Sequence, residues 1–85
     1  MIARNKMTNI LGSTKCTERG FCYVEWKDIY GNDCQLQQSS LAINSEPGTS
    51  AIWLGLTGHR MHLDIKQTEA LICHLQKWIK DGIFS

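Results

Sequence analysis

The chain has 85 residues, nine Lys and Arg against eight Asp and Glu, a net charge of +1 and four cysteines. A domain of this size buries only roughly 60–65% of the surface its unfolded chain exposes, so a disulfide, a metal or a partner subunit is expected to supplement its core. The near-neutral charge argues against a global basic field for DNA or RNA, and no apolar run approaches the roughly 20 residues of a membrane span.

Residues 1–20 mix Asn, Thr, Lys and Gly around a short apolar cluster at Ile10 and Leu11, with Arg4, Lys6, Lys15 and Arg19 set against Glu18 alone. They read as a basic, loosely ordered arm or an edge strand, ahead of a single domain over 21–85. In Phe21–Lys27, Cys22, Val24 and Trp26 alternate with Phe21, Tyr23, Glu25 and Lys27, the period of a half-buried strand. Gly31-Asn32 supplies a turn, and a return strand from Asp33 to Leu41 sends Cys34 and Leu36 inward and Gln35 and Gln37 outward. Pro47-Gly48 marks the next turn. The segment 51–56 then forms a strand with Ile52, Leu54 and Leu56 on one face and Ala51 and Trp53 on the other. After a tight connection at Thr57-Gly58, the last strand points Met61 and Leu63 inward and Arg60 and His62 outward.

The helix that follows carries its own punctuation. Asp64 and Gln67 have the spacing of a capping box, and Gly82 offers the left-handed position that ends a helix. Thr68, Leu71, Ile72, Leu75, Trp78 and Ile79 fall on one face, expected to pack on the sheet with Trp26 and Trp78 in the core and His74 partly buried at its margin. The fold class is therefore α+β, a small antiparallel sheet of four to five strands packed on one C-terminal helix.

No apolar run in Met1–Gly20 suits a signal peptide, so a cytoplasmic, reducing environment is expected and structural disulfides are disfavoured. The gaps between Cys16, Cys22 and Cys34 lack a short metal clamp, and His59 and His62, three apart on a strand, point to opposite faces. No metal and no cofactor are expected. Oligomerisation remains as the stabilising device, and a homo-oligomer is expected.

A sheet covered on one side leaves its other face free. That face carries Phe21, Tyr23, Gln35, Gln37, Trp53, Arg60 and His62, a mixed amphipathic surface suited to recognition. No sequence signature ties a serine or a thiol to a base, so no enzyme is expected. The Arg60 guanidinium fits a phosphate in bidentate fashion; its ordinary alternative is a solvated strand residue paired with Glu25 or another carboxylate. Trp53 and Tyr23 suit base stacking or a subunit interface. His62 is either a phosphate donor or a surface imidazole. Gln37, Ser39 and Ser40 form a dense run of polar donors for turn chemistry or for a polar ligand.

The series YGNDCQLQQSSLA, then IWLG, then RMHL opening a helix that ends at a glycine resembles a set of small bacteriophage proteins that includes the anti-Thoeris sponges. The resemblance spans Phe21 to about Gly82. It implies a phage anti-defence protein, working in the cytoplasm of the infected bacterial host. Such a protein binds a cyclic ADP-ribose isomer, the alarm signal of a TIR-domain enzyme, and sequesters it without cleavage. It also implies an oligomer with ligand sites between subunits, Arg60 as phosphate partner, Gln37, Ser39 and Ser40 as polar contacts and Trp53 as a stacking surface. In the wider set a long loop separates IWLG from RMHL, whereas here only Leu56, Thr57, Gly58 and His59 intervene. The competing expectation is a phage inhibitor that binds a host defence protein complex, such as a CRISPR complex, through the same face with Tyr23 and Trp53 as anchors.

Overall fold

Alternation of apolar and polar side chains builds a meander of antiparallel strands, here in a computed structural model that describes residues 11–41 and 48–84. The strands are β1 (Lys15–Cys16), β2 (Cys22–Lys27), β3 (Asp33–Gln38), β4 (Ala51–Leu56) and β5 (His59–Asp64), and helix α1 (Ile65–Asp81) follows. They lie side by side in chain order. This is the expected α+β class. Of the basic arm, residues 11–20 contribute the short edge strand β1; residues 1–10 and Pro47 lie outside the described residues.

Each turn has a local cause. Asp28 closes the β2–β3 hairpin, its Oδ1 accepting from the backbone N–H groups of Tyr30 and Asn32 at 2.9 Å each. Gly31 supplies the positive φ of 84°. The donors from Asn32, backbone first and side chain second, hold the Asp28 carboxyl below its usual pKa against a small opposing effect of burial. The return strand ends at Gln38 and not at Leu41. There, Gln38 turns its side chain to tying: Oε1 accepts from the Cys22 N–H at 2.7 Å and Nε2 donates to the Gly48 carbonyl at 3.1 Å.

Register sorts the side chains into two faces. Val24, Leu36, Leu54 and Met61 form one continuous row, and Trp26, Cys34 and Leu56 share its face with Ile52 and Leu63. The other face holds Tyr23, Gln37, Trp53 and His62 in one row and Glu25, Gln35, Gly55 and Arg60 in the next. A slip of one residue would exchange these faces, so the apolar side specifies the register.

The helix begins and ends as its sequence requires. Asp64 Oδ1 accepts from the Gln67 N–H at 2.7 Å and the Gln67 side chain accepts from the Asp64 N–H at 3.1 Å. Gly82 ends it at φ 75°. What departs from expectation is the cover it provides. Only Thr68 and Leu71 of its apolar stripe are half-buried, while Trp78 is 52% and Ile79 73% exposed. His74 is exposed too, set edge-on to Phe84. The helix leaves β5 directly through its first residue, so its opening turns graze the sheet and the rest runs clear of it. Trp26 is half-buried, and the only hydrophobic residues fully buried among those described are Cys34 and Ala51.

At the opposite edge, Cys16 stands across from Cys22. The Thr17 N–H bonds the Phe21 carbonyl, which makes Cys16 and Cys22 a non-hydrogen-bonded pair, the type whose side chains approach most closely. Their sulfurs are 3.9 Å apart and both residues are exposed free thiols. The hydrogen bond from Cys16, its charge and slight burial raise the Cys22 pKa, in that order.

Candidate functional site

The polar face converges on Arg60 because β4 gives it room. Gly55, directly opposite Arg60, has φ 141°, and a Cβ there would lie 3.2 Å from the His59 carbonyl oxygen and 3.3 Å from the Arg60 Cα. Glycine is therefore required by backbone and by space. Across that bare position the Arg60 side chain reaches β3, where Nη1 donates to Gln35 Oε1 at 2.6 Å and to Gln37 Oε1 at 3.3 Å.

Beside it stands an aromatic stack. The His62 ring lies on Trp53 with centroids 3.8 Å apart and planes within 7°, as their register across β4 and β5 allows. The Arg60 guanidinium carbon is 5.1 Å from the Trp53 centroid, within the range of a cation–π contact. His62 Nε2 shares a 2.8 Å hydrogen bond with Ser39 Oγ. Ser39 is only 2% exposed, and its Oγ also accepts from the Leu41 N–H at 3.0 Å. Arg60, Trp53, His62 and Ser39 thus form a chain of contacts across three strands.

Arg60 is electrostatically unusual. Its partners are two neutral amides; among the described residues the ion pairs are Lys27 with Asp33 and Lys77 with Asp81. The expected alternative partner, Glu25, sits on β2 at the far end of the same row. A guanidinium has five N–H donors, and the bonds to the glutamines use Nη1 alone. The remaining donors carry no hydrogen-bond partner among the described residues, and the guanidinium is oriented by β3.

Of the residues singled out from sequence, Arg60, Gln37, Trp53, His62 and Ser39 come together, and Tyr23 continues the row of Gln37, Trp53 and His62 on β2. Ser40 is exposed beyond the end of β3 and stands apart. Ser39 is a buried support for His62 and not an open polar contact. Gln35 makes the shorter bond to Arg60; the sequence reading set it on this face but named only Gln37 among the ligand contacts. The register signal was available, since Gln35, Gly55 and Arg60 share one row, but it required the length of the β3–β4 connection.

A serine bonded to a histidine invites a catalytic reading, which the surroundings oppose. Ser39 is sealed from solvent, its oxygen is engaged by a backbone N–H, and among the described residues no acid orients the other nitrogen of His62. No cluster of three or more His, Cys, Asp or Glu side chains with metal-binding geometry occurs among the described residues. No helix among them is long and apolar enough to cross a membrane. Comparison of the chain with protein-family models, curated proteins and solved structures returns no match.

Proposed function

We propose that this protein binds a small anionic cyclic nucleotide on its polar sheet face and holds it without cleaving it. The supporting observation is the Arg60 guanidinium, held by the amides of Gln35 and Gln37 with no carboxylate among the described residues to neutralise it, beside the Trp53–His62 stack. A phosphate has the charge and the paired oxygens for the free side of the fork, and a base has the flat surface for the exposed imidazole of His62. The resemblance to phage anti-Thoeris sponges narrows the ligand to a cyclic ADP-ribose isomer and the role to silencing an immune signal in an infected bacterium. A homo-oligomer belongs to this reading as the device that supplements so small a core.

The test is a thermal-shift and calorimetric titration of the parent protein and Arg60→Ala against cyclic ADP-ribose isomers and cyclic di- and trinucleotides. One compound is expected to raise the parent melting temperature by several degrees. Arg60→Ala is expected to lose about 1.5–3 kcal/mol of binding with its fold intact. Equal affinity for parent and variant would remove Arg60 from the site. If no nucleotide stabilises the parent, the face instead serves a protein target, and stabilisation by a captured host defence complex becomes the next measurement.

A further inference from the structure

The apolar stripe of α1 is unfinished. Ile65, Ile72, Leu75, Trp78 and Ile79 on the helix, and Phe84 just past its end, are between 46% and 73% exposed. At roughly 100 Å² for each half-exposed large side chain, they present on the order of 600 Å² of apolar surface. That is as large as the biggest apolar patch of a typical monomer and most of the about 800 Å² that each partner contributes to a standard interface. Thr68, on the same stripe, borders a groove with Val24, Leu36 and Ile52, so the stripe and the apolar sheet face meet along one edge. The helix's own sheet covers neither fully.

The charges beside the stripe say what covers it. Glu69 and Lys80 are separated by about three helical turns, which puts them on the same flank of the stripe. Neither has an ion-pair partner among the described residues, whereas Lys77 and Asp81 pair with each other at 2.9 Å elsewhere on the helix. In two antiparallel helices related by a twofold axis, like flanks face each other. An axis passing between His74 and Leu75 brings Glu69 of one chain to Lys80 of the other, twice, and sets Leu71 against Trp78 in both directions. The same axis bisects the stripe from Ile65 to Phe84. A parallel pair would set the two flanks of the stripe against each other and would not bring Glu69 to Lys80.

We propose that α1 is the self-association surface of this protein, an antiparallel pair with a second copy centred between His74 and Leu75. The contact is isologous and closed, so it forms a dimer and not a fibre. It names the contact through which the oligomer of the proposed function forms. Its experiment reads mass and not ligand, so failure of the nucleotide reading leaves it standing and its own failure leaves that reading to be judged separately.

The test is sedimentation equilibrium of the full chain and of charge variants. The parent is expected at twice its 9.7 kDa. Glu69→Lys and Lys80→Glu each place like charges together at both symmetry-related contacts and are expected to weaken the dimer by about threefold to tenfold. The double exchange, Glu69→Lys with Lys80→Glu, is expected to restore it. Trp78→Glu is expected to yield a monomer with the parent's far-ultraviolet circular dichroism, because Trp78 is not part of the sheet's packing. A parent that stays at the mass of one chain at 100 micromolar overturns the proposal, and so does a Trp78→Glu dimer as tight as the parent's. Failure of the double exchange to recover what the single exchanges lose overturns the antiparallel register.

Discussion

At the scale of single residues, the site depends as much on a missing side chain as on those present. Gly55 keeps the row between Gln35 and Arg60 open, and its φ of 141° excludes other residues at low cost. Gly55→Ala is expected to destabilise the fold by about 1–3 kcal/mol, read as a lower urea midpoint, since it combines an unfavourable backbone region with a backbone clash. Asp28 acts on its own hairpin in a different way. Its carboxyl is held below the ordinary value of 3.8 by donors that exist only in the folded chain. The ionised form therefore adds stability above that value, and the gain is lost as pH falls through the lowered folded value. Asp28→Asn keeps an acceptor in the turn and removes the titration. Urea midpoints of this variant are expected to fall less than the parent's between pH 5 and pH 2.

At the scale of elements, the antiparallel strands, their two faces and both helix caps were legible because each rests on near neighbours in the chain. Alternation read Cys22, Val24 and Trp26 correctly onto one face, and Asp64 with Gln67 was recognisable without any tertiary knowledge. What failed was the partner of the α1 stripe. Periodicity identifies an apolar face but not what covers it, and here only the opening turns of the helix reach the sheet. The site was legible to the same depth: Arg60 and His62 were placed outward, but the Ser39–His62 and Gln35–Arg60 bonds depend on how β3, β4 and β5 align. An edge strand was one reading of the arm, but the pairing of Cys16 with Cys22 was not legible. Because Cys16 and Cys22 occupy a close, non-hydrogen-bonded register pair, oxidised glutathione is expected to convert the two thiols to an internal disulfide, itself being reduced to two glutathione thiols. Free-thiol counting by mass spectrometry should fall by two, with Cys34 and Cys73 still alkylated after unfolding. Loss from Cys34 or Cys73 instead would contradict the register argument.

For the whole molecule, two buried hydrophobic residues among those described are a slender core. Folding linked to association makes the melting temperature depend on protein concentration. A hundredfold dilution is expected to lower it by several degrees, and Trp78→Glu is expected to melt at the dilute parent's temperature whatever its concentration. On the proposed reading the ligand takes a second, separate surface, since the polar face and the α1 stripe share no residue. Stability from the ligand and stability from the second copy should add.

The sheet order leaves β5 paired on one side only among the described residues. An open edge six residues long is a template on which another β-strand can grow, the usual beginning of strand-to-strand aggregation. Arg60 and His62 stand on that edge, and a cationic side chain there repels an incoming copy of itself. Replacing Arg60 with an apolar residue would therefore remove more than a ligand contact. It would also leave the chain prone to turbid, thioflavin-positive deposits on storage, a hazard from which a charge on the edge strand protects the protein.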